Sequence, residues 1–213
     1  MQYHEMPLDP EVEQFLMEAE QRIEQFHQSH YAPGFVSCNF RQIYHALRFL
    51  NSTNAAPGNL FCEWGSGYGV ASCLAAMTGW EATGIELNHS LVTAAHQLAI
   101  DFGLDVEFHC DSFIPPGSEN CFDTCESTGW QTTQEGSSRE DMGVSPDNFD
   151  IIFVYPWPGE EEVIESLFER HASVGSLLMT FHGREGWLLH RKVARSKRSR
   201  ISRQPRCSHP NRY

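Results

Sequence analysis

Between Phe61 and Ser90 the chain reads FCEWGSGYGVASCLAAMTGWEATGIELNHS. An apolar run ends in an acid, Glu63, and opens onto Gly65, Gly67 and Gly69, with Ser66 inside the run of glycines. Glycines at such a turn let the backbone approach a ligand closely at the start of a helix. The spacing sorts the nucleotide-binding possibilities. A dinucleotide fingerprint puts its third glycine five residues after the first, and here Val70 stands in that position. A P-loop ends in Gly-Lys-Ser/Thr, and this segment has no lysine. Glu63, directly before the loop, repels a pyrophosphate and attracts a positive group. Two more acids follow at comparable places, Glu86 in GIELN and Asp111 in HCDSF, the latter with Ser112 and Phe113 beside it.

A second stretch, FDIIFVYPWPGEE, carries Tyr155, Pro156, Trp157 and Pro158. Two prolines hold this backbone rigid. Trp157 is expected either to stack on a planar substrate or face an alkylammonium, or to pack over the start of the next helix. Glu160, Glu161 and Glu162 suit the positive end of that helix's dipole. His182, in TFHGREG, is the expected general base, on the reading that it lies at the same sheet edge as the glycine loop. His109, Cys110, Cys121 and Cys125 match no common zinc spacing, so no metal is expected.

These residues need elements to hold them. Asp9 and Pro10 open a helix whose Val12, Phe15, Leu16, Ala19, Ile23 and Phe26 form one apolar face. A second helix runs from about Asn39 with Phe40, Ile43, Tyr44, Leu47 and Leu50 on one side. From Leu60 strands alternate with helices: LFCEW, ATGIEL, DVEFHC, FDIIFVY and SLLMTFH are the predicted strands. That alternation predicts an α/β fold, a Rossmann-like, mostly parallel sheet flanked by helices. The expected organisation is two N-terminal helices over 1–58, a core over 59–190, and a basic, disordered tail over 191–213. Within the core, 115–148 reads as a polar insertion, too long for an ordinary connection. After the fifth strand only EGWLLHRKVA is left to extend the sheet, so the fold reads as shortened there.

Composition narrows the partners. The 213 residues show no apolar run long enough to span a bilayer and no basic-then-apolar leader, and seven cysteines at irregular spacing suit a reducing compartment, so a cytoplasmic protein is expected. All 28 acids lie in residues 1–190, against six arginines and no lysine. Such a body disfavours nucleic acid and favours a cationic ligand. The last 23 residues carry nine basic side chains and no acid. They read as a disordered extension, with a nucleic-acid or membrane-surface anchor and a shifted reading frame as the alternatives.

The acid-x-Gly-x-Gly-x-Gly run, with Glu86 and Asp111 after it, resembles the class I S-adenosylmethionine-dependent methyltransferases over residues 60–113 and 149–183. Within that family the EWGSGxG and YPWPGEE motifs look most like a bacterial group of unassigned substrate. The helix before the first strand and the strand-two motif are more remotely similar to mitochondrial lysine methyltransferases that modify the c subunit of ATP synthase. The resemblance implies S-adenosylmethionine as cofactor. Glu63, Gly65, Ser66, Gly67 and Gly69 would face its methionine part, Glu86 its ribose, and Asp111 with Ser112 its adenine. Tyr155 and Trp157 stand where amino-methyltransferases of this fold carry an Asp/Asn-Pro-Pro-aromatic motif, although Tyr155 lacks the amide. The implied reaction is methyl transfer to an acceptor such as a protein lysine or another amine, with Tyr155 or His182 taking a proton. A cofactor-binding protein without turnover is the alternative.

Overall fold

A computed structural model describes residues 6–29, 38–118, 144–157, 159–182 and 186–194. Two helices, α1 (Pro10–Ser29) and α2 (Phe40–Ser52), precede the sheet. Strands β1 (Leu60–Trp64), β2 (Glu81–Glu86), β3 (Val106–Cys110), β4 (Ile151–Val154), β5 (Leu177–Phe181) and β6 (Trp187–Arg191) form it. Helices α3 (Val70–Met77), α4 (His89–Asp101) and α5 (Glu161–His171) connect them. The strand order is β3-β2-β1-β4-β5-β6. All neighbours are parallel except β5 and β6, which pair antiparallel with Phe181 opposite Trp187. The order reverses between β1 and β4, and open α/β sheets bind ligands at the carboxyl edge of such a switch point.

Residue alternation along the strands fills two cores. Phe61, Ile151, Phe153, Leu177, Met179 and Phe181 face α1 to α4, whereas Cys62, Trp64, Ile152, Val154 and Leu178 face α5. Buried on α1, Phe15 and Leu16 join Ile43 and Leu47 of α2 in the first of these cores. Local sequence sets the helix ends. The Asn88 side chain accepts from the N–H groups of Ser90 and Leu91, and Asn39 accepts from Gln42. Gly103 closes α4 at φ 64°, with the Leu104 N–H returned to the Ala99 carbonyl. The Asp9 carboxylate bonds the Tyr44 hydroxyl at 2.6 Å and Arg48 at 3.1 Å, fastening the start of α1 to α2.

EGWLLHRKVA supplies the sixth strand, β6, whose last residue, Arg191, is the first of the basic segment. Arg191 donates to the carbonyls of Gly175 and Ala55, and Lys192 donates to that of Ala172. The rest of the expected tail, 195–213, lies outside the described residues, as do 119–143 of the expected insertion.

Candidate functional site

A cavity of about 540 Å³ opens at the carboxyl edge of β1, β2 and β4. Its floor is the turn from β1 into α3. Gly65, Gly67 and Gly69 take φ of 71°, 54° and 75°, the left-handed region that a side chain opposes. The two outer glycines are there for different reasons. A β-carbon at Gly65 would meet nothing within 4 Å, so this position faces open space beside the cavity. One at Gly69 would lie 2.5 Å from Phe108 Cζ and 2.7 Å from Ala95 Cβ. Gly69 caps α3 and does not line the cavity. Its lack of a side chain is required by close packing of the helix start against β3 and α4.

Four of the loop's backbone donors, those of Gly65, Ser66, Gly67 and Gly69, are spent inside the protein. The N–H groups of Gly65 and Ser66 both reach the Ile85 carbonyl at 2.9 Å, and that of Gly69 reaches Ser66 O at 2.8 Å. Gly67 N–H goes to Glu86 Oε2 at 3.0 Å, while Glu86 Oε1 accepts from Asn88 N–H at 2.8 Å. A phosphate cradle aims such donors at its ligand; this loop does not. What the wall offers instead is acid. Glu63, Glu86, Asp111 and Glu160 line the cavity, and no lysine, arginine or histidine does among the described residues.

Glu63 is buried, and its Oε2 accepts both the Ser72 N–H at 2.9 Å and the Ser72 hydroxyl at 2.6 Å. Burial pushes its carboxyl up to about 8; the two Ser72 donors pull the other way, and the neighbouring Glu86 charge adds to the rise. Asp111 is nine-tenths buried and accepts from Ser112 N–H at 2.7 Å. Ser112 itself does not line the cavity. Its hydroxyl accepts from Ile114 N–H at 3.2 Å, bracing the turn that carries Asp111. Ser66 Oγ is buried in the cavity wall with no hydrogen-bond partner among the described residues, a polar atom of the kind a ligand completes.

Aromatic and aliphatic side chains make most of the remaining wall. Trp64 and Phe113 stack at 5.3 Å with planes 8° apart. Tyr68 is held edge-on by Phe26 of α1 at 5.8 Å, so the first helix helps to set the glycine loop. Tyr155 packs edge-on to Phe181 at 5.6 Å, and Trp157 is 39% exposed at the rim.

Three further residues are placed as follows. His182 is not among the residues that line the cavity; its Nε2 lies 2.8 Å from Thr180 Oγ1 and its backbone N–H donates to Gly186 O. Glu160 is not a solvated first-turn acid but a buried residue of the wall, one oxygen accepting Trp157 N–H at 3.2 Å. Cys38, between the first two helices, also lines the cavity beside Glu63, where burial and then the Glu63 charge push its thiol up. Among the described residues no three His, Cys, Asp or Glu side chains are grouped to hold a metal ion; Cys121 and Cys125 lie outside them.

No protein-family model matches the chain, and no curated protein matches it. Solved structures of similar fold do exist. One is an RNA methyltransferase from Salinibacter ruber in complex with S-adenosyl-L-homocysteine, at 17% identity and a TM-score of 0.46, covering 68% of this chain and 76% of that one. Another is an O-methyltransferase from Bacillus cereus in complex with S-adenosylhomocysteine, at 13% identity and a TM-score of 0.48, covering 83% and 67%. A third is a methyltransferase from Geobacter sulfurreducens, at 20% identity and a TM-score of 0.46, covering 83% and 75%. The fold is α/β and Rossmann-like, with the cavity at the switch point.

Proposed function

We propose that the protein is an S-adenosylmethionine-dependent methyltransferase. The observation that carries this reading is the set of acids at the ends of β1, β2 and β3 around a glycine turn whose Gly65, Ser66, Gly67 and Gly69 N–H groups are bonded within the protein. Such a site repels polyphosphates and suits a cationic ligand with hydroxyl groups. The residues fit the group. Glu63 and the open face at Gly65 and Ser66 would take its methionine end, Glu86 its ribose hydroxyls, and Asp111 its adenine. Ser66 Oγ would gain a partner.

When bound, this cofactor supplies an electrophilic methyl group, whose carbon–sulfur bond breaks with its electron pair left on sulfur as the acceptor's lone pair joins the carbon. The chain's own residues have the tasks of orientation and water exclusion. Trp64, Phe113 and Phe40 dry the cavity. Tyr155 and Trp157, which line the cavity on the β4 side, would form the acceptor wall, and the Tyr155 hydroxyl would relay the acceptor's proton to solvent.

Calorimetric titration with S-adenosylhomocysteine, on wild type and Glu86→Ala with NADH as the control, tests this. Micromolar binding that collapses in the variant, with NADH inert, is expected. Failure of well-folded wild type to bind, or preference for NADH, overturns the reading.

A further inference from the structure

The three acids that end β1, β2 and β3 surround the glycine turn, but the fourth carboxylate of the cavity stands apart from them. Glu160 caps α5, on the far side of Tyr155, Pro156 and Trp157. It is 5% exposed, a burial that glutamate rarely reaches. The turn before it fixes its direction. Trp157 N–H donates to Glu160 Oε2 and Glu160 N–H donates to Trp157 O at 3.0 Å, so the Trp157 backbone and the Glu160 carboxylate are tied together in one turn and both residues line the cavity. Glu160 contributes to the cavity wall, as does Trp157, whose ring is part-exposed at the rim. A carboxylate beside aromatic faces is the chemistry that recognises an alkylammonium. The field of the rest of the cavity has the same sign, since no basic residue lines it among the described residues.

We propose that Glu160 and Trp157 form an acceptor subsite for an alkylammonium group, with Trp157 as its aromatic face and Glu160 as its counter-ion, which takes the ammonium proton and so frees the nitrogen lone pair for the methyl carbon. The proposal rests on the methyltransferase reading and names the substrate class of that same cavity. A free polyamine and a lysine side chain share this chemistry. An anionic or phosphate-bearing acceptor is excluded by it.

The test uses full-length protein saturated with S-adenosylhomocysteine. Benzylamine, benzyl alcohol and benzoate are titrated against it near pH 7, followed by spermidine and a lysine-containing acetylated peptide. Benzylamine is expected to bind at least tenfold more tightly than benzyl alcohol, with benzoate weakest. Glu160→Gln should abolish the preference for the amine while leaving homocysteine-cofactor binding and the alcohol within twofold. Trp157→Leu, at a part-exposed position that does not threaten folding, should weaken benzylamine at least threefold more than the alcohol. Stronger binding of spermidine, or of the peptide, supports the proposal and identifies the source of the amine. Equal binding of amine and alcohol, or a preference unchanged in both variants, overturns it and leaves the cofactor reading standing. Failure of the wild type to bind S-adenosylhomocysteine overturns the methyltransferase reading itself.

Discussion

Glu63 and Ser72 meet through two hydrogen bonds to one carboxylate oxygen, 2.9 Å from the backbone N–H and 2.6 Å from the hydroxyl. One partner ends β1 and the other lies in the first turn of α3, so the pair spans the glycine turn and holds strand and helix at a set separation. The arrangement keeps an acid in a dry place. Burial outweighs both donors, and the carboxyl is pushed up to about 8.

Stability should therefore depend on pH through Glu63. Its folded pKa lies above the ordinary carboxylate value of about 4.3. Between the two values the folded state holds a proton that the unfolded chain has released, so this contribution is present in full at low pH and lost as pH rises toward 8. The slope reaches at most about 1.4 kcal/mol per pH unit. Burial pushes His45 and His171 down, which acts in the opposite direction in the more acidic range. The readout is accordingly the difference between wild type and Glu63→Gln in urea-unfolding free energy. That difference should shrink steadily from pH 5.5 to 8 and level off above it.

A cationic ligand beside Glu63 should drive out the same proton. Titration of S-adenosylmethionine at pH 7, in two buffers of different ionisation heat, should reveal release of a fraction of a proton. Glu63→Gln should release none. Equal heats in both buffers for wild type would place the cation elsewhere.

The two outer glycines should respond differently to alanine. Both positions carry the left-handed strain of about 1–2 kcal/mol. At Gly69 the new carbon would also press on Phe108 and Ala95 at 2.5–2.7 Å, and overpacking adds about 1–3 kcal/mol. Gly69→Ala should lose about 2–5 kcal/mol in denaturant unfolding. Gly65→Ala should lose only the strain, and should weaken cofactor binding out of proportion to its stability.

These contrasts mark where sequence pattern is informative. Glu63, Glu86 and Asp111 could be placed because period-two alternation and glycine turns locate strand ends, and strand ends share one edge of a parallel sheet. Gly69 could not be separated from Gly65, because the atoms that exclude a side chain there come from α4 and β3. Glu160 reads as a helix-dipole acid, since only the rigid turn at Pro156 and Trp157 sends it inward. His182 occupies a strand end too, but the chain turns there into β6 and the ring meets Thr180. Cys38 sits between helices, where no periodicity indicates what it faces.

Placement makes a prediction for the two expected proton carriers. His182→Ala removes a ring that does not line the cavity, and should leave S-adenosylhomocysteine affinity within twofold of wild type. Tyr155→Phe keeps the edge contact with Phe181 and the fold, and removes only the hydroxyl. Once an acceptor is in hand, it should lower kcat by one to two orders of magnitude with little change in cofactor affinity, as loss of a proton-transfer group does. Equal losses in the two variants, measured as initial rates, would return His182 to the site.

Glu86 combines ligand binding with loop support, and two substitutions separate them. Its two oxygens accept from Gly67 N–H at 3.0 Å and Asn88 N–H at 2.8 Å. Glu86→Ala strips both donors of their acceptor. A buried N–H left without one costs about 1–3 kcal/mol, so the variant should unfold at lower urea by that amount. Glu86→Gln keeps one carbonyl oxygen for Gly67 and should cost about 1 kcal/mol or less. Toward ribose hydroxyls, however, the amide loses the charge that strengthens those bonds, worth about 1.5–3 kcal/mol, or about tenfold to a hundredfold in affinity. S-adenosylhomocysteine should therefore bind Glu86→Gln at least tenfold more weakly although its loop is intact, and Glu86→Ala more weakly again. Wild-type affinity in the glutamine variant, together with loss in the alanine variant, would make Glu86 a support for Gly67 alone and move the ribose contact elsewhere in the cavity.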